Sequence, residues 1–467
     1  MENELNHQLE RIFNPKSIAV VGASEREYNL GYRWLQTLQD VGFPSLYPVN
    51  PRGGEMLGLK VYPSISDIPD GLDLDLAILA IPREAVPQVA RDCAAKGAAG
   101  IVLYTSGFGE AGPEGKALER EIVSIARQGG TRVMGPSCLG PYNPSAKLIT
   151  QYPHPREAGA VGVISHSGFL FNFLIGCVTR TGIGPSKGVS CGSDCDLTFV
   201  DFLEYLGSDT QTEIIVAYVE GIRDGKRLLN IARRISRDKP IIVLKGGDTD
   251  VGMAASASHT GTLAVPSEIW DSICRQTGII TVDSFEEMMD LVTALYYLPK
   301  SAGRRIGIIT SPGGLAVTAA DACRKLGLEV PNLTSASQER LADLAGTLGT
   351  NLKNPVDLGP MGAMAAHRYV TGTIPIVLAD PNIDMLLVAL IGPKTDDDTK
   401  DAQIAETMLQ HINTYGKPTV FSGSSLMGWD RGELKFLAGA GVPVYPEARR
   451  AAYALSELAR YSEFIRS

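Results

Sequence analysis

The sequence predicts an α/β protein built from three consecutive parallel-sheet units, and two observations predict it. Short β-branched runs that end in Gly- or Ser-rich turns recur with helical stretches between most of them, the alternation that builds a doubly wound sheet. Such a run starts afresh three times, at residues 17–22 (S-I-A-V-V-G), 159–168 (G-A-V-G-V-I-S-H-S-G) and 306–314 (I-G-I-I-T-S-P-G-G), and 467 residues at roughly 150 per domain leave room for three cores.

In the first unit, the run at 17–22 passes through Gly22, Ala23 and Ser24 into a helical stretch that includes Gly31. This order of strand, glycine turn and helix resembles the phosphate-binding first turn of a dinucleotide fold, where backbone N–H groups face an anion. It is not G-x-G-x-x-G. Further strands are expected at 46–50 (L-Y-P-V-N), 76–81 (L-A-I-L-A-I), 100–104 (G-I-V-L-Y) and 132–134 (R-V-M). A parallel sheet binds its ligand at the carboxyl ends of its strands. Gly22 to Ser24, Pro51 to Gly54 with Arg52, Pro82 with Arg83, Thr105 with Ser106 and Gly107, and Gly135 with Pro136 and Ser137 all fall there. Any one of these turns would serve simply as a connection, whereas together they make a binding rim.

A connector containing Pro144, Pro153 and Pro155 leads to the second unit, whose first strand runs into Ser165, His166, Ser167 and Gly168. The helix that follows opens with free N–H groups and hydroxyls, an end that favours an anion by about 0.3–1 kcal/mol from the dipole alone. Strands at 188–190, 213–219 and 240–245 follow, the second closed by Glu220 and the third by Gly246 and Gly247. The segment 254–264 (A-A-S-A-S-H-T-G-T-L-A) reads as a loop of small residues that presents His259. A neutral imidazole there is a nucleophile capable of a covalent intermediate. One histidine in such a loop is by itself an ordinary solvated residue. The topology adds that Ser165 to Gly168, Glu220 and His259 all follow parallel strands, on one edge of one sheet.

The third unit begins after Arg304 and Arg305 and continues through 354–358, 385–390 and 418–421.

The net charge of −9, from 52 acidic and 43 basic residues, with a pI near 5.3, argues against a nucleic-acid partner. The seven cysteines include no C-x-x-C pair, so neither a disulfide framework nor a zinc site is expected. Cys191 and Cys195 in C-G-S-D-C are at most half of a metal site, and we expect no metal. The polar, acidic start M-E-N-E-L-N-H-Q-L-E is unlike a signal peptide, and no apolar run reaches the roughly 18 residues of a membrane span. The expected location is the cytoplasm.

Eight motifs, in order, carry a resemblance over nearly the whole chain: V-V-G-A-S at 20–24, P-V-N-P at 48–51, Y-T-S-G-F-G-E at 104–110, G-P-S-C-L-G at 135–140, I-S-H-S-G at 164–168, D-F-L-E-Y-L at 201–206, Y-V-E-G-I-R-D-G at 218–225 and A-S-H-T-G at 257–261. The sequence resembles the α subunit of the ADP-forming acyl-CoA synthetases, relatives of succinyl-CoA synthetase. The resemblance implies a Rossmann-like CoA-binding domain (1–148), a flavodoxin-like ligase domain with a phosphohistidine (156–300) and a third flavodoxin-like ligase or interface domain (303–467). It implies that Gly22, Ala23, Ser24 and Arg52 lie near the CoA phosphates, with Pro82, Ser106, Gly107 and Ser137 completing the CoA site. It implies that His259 is transiently phosphorylated, that Glu220 hydrogen-bonds its other nitrogen, and that Ser165, His166, Ser167 and Gly168 cradle phosphate. The reaction it implies is acyl-CoA plus phosphate to acyl phosphate and CoA, then phosphoryl transfer to His259 and on to ADP.

Two positions depart from the family pattern, His166 where Gln is usual and Ser137 where Asn is usual. Two readings of His166 stand: it binds an anionic substrate group, or it packs as a neutral polar spacer. The chain also lacks a Walker-type lysine loop and any recognisable ATP-grasp domain. ADP or ATP and Mg are therefore expected on a partner ATP-grasp β subunit in an α2β2-like assembly, with a small carboxylic acid or its CoA thioester as substrate. A different class, a catalytically silent CoA-binding or regulatory subunit, keeps the same fold. An NAD oxidoreductase has Asp40 at about the right distance for a ribose contact but lacks the second glycine of the first turn.

Overall fold

The computed structural model describes residues 2–25, 29–71, 74–151, 153–260, 265–311, 313–345, 351–359, 366–390, 397–423 and 432–467, with the backbone alone at 2–3, 257–260 and 366–367. They form two compact units, Met1–Phe285 and Glu286–Ser467.

The first unit holds two parallel sheets. In one, β1 (Ile18–Val21) and β2 (Leu46–Val49) are followed by a hairpin of β3 (Gly54–Met56) and β4 (Leu59–Val61), then by β5 (Leu76–Leu79), β6 (Gly100–Leu103) and β7 (Arg132–Met134). The sheet order is β2-β1-β5-β6-β7. β1, β5 and β6 (I-A-V-V, L-A-I-L and G-I-V-L) are buried at every position. Strands covered on both faces read as continuous apolar runs, which is why the sequence shows them so plainly.

The second sheet comprises β8 (Gly140–Tyr142), β9 (Val161–Ser165), β10 (Pro185–Ser190), β11 (Ile214–Val219), β12 (Ile241–Lys245) and β13 (Ile280–Val282), in the order β13-β12-β11-β9-β10-β8. β8 runs antiparallel to β10. This edge strand, G-P-Y, lies in what the sequence reads as the tail of the first domain, and three residues carrying glycine and proline give no strand signal. The chain from Cys191 to Leu197 binds the first sheet: the Asp196 carboxylate accepts from Arg127, Arg132 and the Val133 amide, and Leu197 N–H donates to Val133 C=O. Phe13, Trp34, Phe199 and Phe202 are fully enclosed in one core shared by the two sheets.

The second unit carries β14 (Ile306–Ser311), β15 (Val356–Asp357), β16 (Met385–Leu390), β17 (Thr419–Ser422) and β18 (Val444–Tyr445), ordered β15-β14-β16-β17-β18. Counted within each sheet, the parallel strands of all three follow the order 2-1-3-4-5. The chain therefore leaves the first and third strands of each sheet in opposite directions, and the crevice between them is where such sheets bind ligands.

One element differs from the sequence reading at a site residue. The segment carrying His259 is not a loop: Asp250–Thr260 is an α-helix and His259 lies in its last turn. Its alanines are strong helix formers, and Asp250 in the first turn complements the helix dipole. Among the described residues no helix is long and apolar enough to cross a membrane.

Candidate active site

The crevices of the first unit's two sheets bring most of the sequence-derived residues together. In the first sheet the crevice opens between β1 and β5. Gly22 follows β1 with φ +94°, and a Cβ placed on it would stand 2.3 Å from the Ala80 carbonyl oxygen. Only glycine allows the two strand ends to approach so closely. Gly22→Ala is expected to cost at least about 2 kcal/mol and to weaken CoA binding, read by thermal unfolding and calorimetric titration of CoA.

Beyond Gly22 the turn is held by two asparagines that the rim reading did not single out. Asn50 Nδ2 donates to Ala23 C=O (2.8 Å) and Asn50 Oδ1 accepts from Arg52 N–H (3.0 Å). Asn29 Oδ1 accepts from Ser24 N–H (3.3 Å) and from Tyr32 N–H (3.0 Å), capping the helix Leu30–Asp40. Ala23, Ser24 and Arg52 line a cleft of about 460 Å³. Pro82, Ser106, Ser137 and Gly168 line a second cleft of about 800 Å³, which spans the ends of both sheets. Gly107 flanks that cleft, its C=O accepting from Arg83 Nη1 at 2.7 Å. Ser137 holds a left-handed backbone, φ +57°, a region that asparagine, usual at this position in the resembled family, adopts more readily.

In the second sheet the crevice opens between β9 and β11. Ser165 ends β9 fully buried, and its hydroxyl donates to Ser167 C=O (2.7 Å) while accepting Ser167 N–H (3.2 Å). Ser167 caps the helix Gly168–Arg180, its Oγ accepting from Leu170 N–H (3.3 Å). The N–H groups of Gly168 and Phe169 are the ones such a helix start presents to an anion. Glu220 follows β11 and is 6% exposed. Its carboxylate hydrogen-bonds Tyr218, whose hydroxyl is pushed up to about 12, first by burial and then by that carboxylate. Gly246, after β12, makes room for this pair, since a Cβ there would sit 2.7 Å from Tyr218 Oη.

His166 joins the two strand ends. Its backbone N–H donates to Tyr218 C=O (3.2 Å). Its Nδ1 accepts from the Glu220 backbone N–H (3.1 Å) and its Nε2 lies 3.2 Å from Asp194 Oδ2. With Nδ1 an acceptor, Nε2 carries the proton and donates to Asp194. Both nitrogens are engaged within the fold and the residue is 8% exposed, an arrangement that favours the polar-spacer reading. Burial lowers its pKa and the Asp194 charge and hydrogen bond raise it, with a net rise; a second proton at Nδ1 requires the Glu220 N–H to turn away. Asp194 was passed over in the sequence inside C-G-S-D-C. It is 4% exposed with φ +56°, and its Oδ2 also accepts from Phe199 N–H (3.0 Å).

His166, Cys191 and Asp194 place three potential metal-ligand atoms within 4.8 Å of one another. A ligating Nε2 would have to lose the proton that the Glu220 N–H contact leaves on it, and burial raises the Cys191 thiol well above its ordinary pKa. The set is therefore built as a hydrogen-bond relay. Burial likewise raises Cys138, beside the large cleft, to about 12, which removes it as a nucleophile.

The side chain of His259 and residues 261–264 lie outside the described residues. The helix that carries His259 packs beside the turn Gly109–Ala111, next to Gly107.

Two doubly wound sheets, with one cleft at the first sheet's glycine turn and a second shared by that sheet's rim and the capped helix start of the other, have the architecture of an α/β ligand-binding protein. Residues 16–144 match the CoA binding domain and residues 158–295 the succinyl-CoA ligase like flavodoxin domain. The chain is 36% identical over 458 residues to the acetate–CoA ligase [ADP-forming] II subunit alpha of Pyrococcus furiosus, covering 97% of this chain and 98% of that one. It is 31% identical over 463 residues to the 4-hydroxybutyrate–CoA ligase [ADP-forming] of Nitrosopumilus maritimus, covering 98% of this chain and 64% of that one. Among solved structures it matches the acetyl-coenzyme A synthetase 1 of Ca. Korarchaeum cryptofilum in complex with phosphate and ADP, with TM-score 0.85, 32% identity and 98% of each chain covered. The chain belongs to the ADP-forming acid–CoA ligase family, as an α subunit.

Proposed function

We propose that this chain interconverts acyl-CoA, phosphate and ADP with carboxylic acid, CoA and ATP, together with a partner subunit. Phosphate held at the start of the helix Gly168–Arg180 attacks the thioester carbonyl; the C–S bond breaks, CoA leaves as thiolate and acyl phosphate forms. An imidazole nitrogen of His259 then attacks phosphorus, the carboxylate leaves, and the phosphoryl group passes to ADP. Such transfers are driven by positioning and charge stabilisation, which a helix dipole and fixed N–H groups supply. Glu220 fixes the His259 tautomer and steadies the imidazolium. Gly22, Ala23, Ser24 and Arg52 take the nucleotide end of CoA, and Pro82, Ser106, Gly107 and Ser137 take its pantetheine arm.

The observation that carries this reading is the second sheet's crevice, where buried Glu220 stands beside a capped helix start that lines the same cleft as the first sheet's rim. The three-part working division at 1–148, 156–300 and 303–467, the cytoplasmic location and an ATP-grasp β subunit holding ADP or ATP and Mg in an α2β2 assembly belong to the same proposal. A two-subunit arrangement is supported by the word alpha in the name of the Pyrococcus relative and by the length of the Nitrosopumilus relative beyond the match.

The test is incubation of the chain with labelled phosphate and a panel of acyl-CoAs, without nucleotide. The expected result is an acid-labile, alkali-stable label that is absent from His259→Ala. No label with any acyl-CoA, even with the partner subunit restored, would leave a CoA-binding regulatory subunit as the better reading. Synthesis of acyl-CoA from ATP by this chain alone would overturn the two-subunit arrangement.

A further inference from the structure

Glu220 is held at two points, and only one of them is its backbone. Its amide N–H donates to His166 Nδ1 (3.1 Å). Its carboxylate is met by the Tyr218 hydroxyl, a group to which the proposed chemistry gives no part. Side chains two residues apart along a strand stand on one face, so Tyr218, near the end of β11, and Glu220, just beyond it, project together. The rest of β11 is buried and Tyr218 is half-buried, at the end of the strand where the crevice opens.

The neighbouring strand keeps room for this contact. β12 pairs with β11 so that Lys245 stands opposite Val219, and the N–H of Gly246 donates to Val219 C=O (2.8 Å), which brings Gly246 beside the pair. A Cβ on Gly246 would stand 2.7 Å from Tyr218 Oη and 3.4 Å from Glu220 Cγ. Gly247 has φ +72°, a backbone that favours glycine. Gly246 lies outside that region, so the space filled by Tyr218 and Glu220, and not its own backbone, is what excludes a side chain there. Burial and then the Glu220 charge push the Tyr218 hydroxyl up to about 12, so near neutral pH it keeps its proton and donates. It takes one of the several lone-pair positions of the carboxylate and leaves the others to a further donor.

We propose that Tyr218 is a positioning residue for the phosphoryl transfer: its hydroxyl fixes the Glu220 carboxylate in the orientation that meets the His259 imidazole, within a space that Gly246 keeps open. The proposal rests on the ligase reading above. A carboxylate on a flexible stem must be ordered before it can act, at a cost in rotamer entropy, and a hydrogen bond from a ring held by the sheet orders it in advance.

The experiment uses the chain with its partner subunit and has two readouts, the rate of labelling by acyl-CoA and labelled phosphate, and the fluorine NMR spectrum of protein made with fluorotyrosine. Tyr218→Phe is expected to label roughly 10-fold more slowly with CoA affinity unchanged. In a Glu220→Ala background the same change is expected to cost less than about twofold, as befits two residues that act as one unit. Gly246→Ala, which sets a methyl against the hydroxyl, is expected to slow labelling at least as much as Tyr218→Phe. The fluorine line absent from Tyr218→Phe identifies this ring without any turnover, and it is expected to shift in Glu220→Ala. A Tyr218→Phe rate within about twofold of the unaltered protein would overturn the proposal. So would an equal loss with and without Glu220, which would make the hydroxyl a direct partner of the substrate. A fluorine line that responds to Glu220, in a protein that takes no label even with its partner, would sink the ligase reading and leave the contact standing.

Discussion

Glu220→Gln is expected to slow phosphorylation of the chain by roughly 10- to 150-fold while leaving CoA affinity unchanged. The substitution is nearly isosteric, and Gln Oε1 can still accept from Tyr218, which hydrogen-bonds the carboxylate in the native protein. What it removes is the negative charge, which in the proposed mechanism makes one imidazole nitrogen of His259 basic while the other attacks phosphorus. A single-turnover measurement with acyl-CoA and labelled phosphate isolates this step from nucleotide chemistry. A labelling rate within about threefold of the unaltered protein would exclude Glu220 as the partner of His259, since charge-assisted hydrogen bonds of this kind contribute about 1.5–3 kcal/mol.

The second large effect is expected at His166, and its sign depends on the replacement. His166→Leu leaves the Glu220 N–H without its acceptor and Asp194 without one of its two donors. Orphaning a buried amide and a buried carboxylate together costs about 2–5 kcal/mol. The expected result is a clear fall in unfolding temperature and, because Glu220 loses the contact that aligns its backbone, a labelling rate reduced beyond the loss of folded protein. His166→Gln should restore both, because Gln can accept from Glu220 N–H through Oε1 and donate to Asp194 through Nε2. That equivalence gives a physical reason for Gln at this position in the resembled family. If Leu and Gln behave alike, His166 does not act as a positioning residue.

The sequence by itself determined the three parallel sheets, because central strands covered on both faces are continuous apolar runs and Gly22, Ser165 and the run at 306–311 announce where each sheet begins. It also determined which turns gather at the binding edge, since parallel topology sends every strand's carboxyl end the same way. Only the tertiary structure decided matters that depend on contacts between distant segments. The antiparallel strand Gly140–Tyr142 exists because β10 offers it a free edge, and three residues of glycine, proline and tyrosine carry no period of their own. The helix Asp250–Thr260 replaced an expected loop because a run of small residues is compatible with either state, and its packing beside Gly109–Ala111 settles which. The relay from Asp194 through His166 to Glu220 joins residues 28 and 54 positions apart. Burial turns these ordinary polar side chains into positioning groups, and burial is a property of the folded chain.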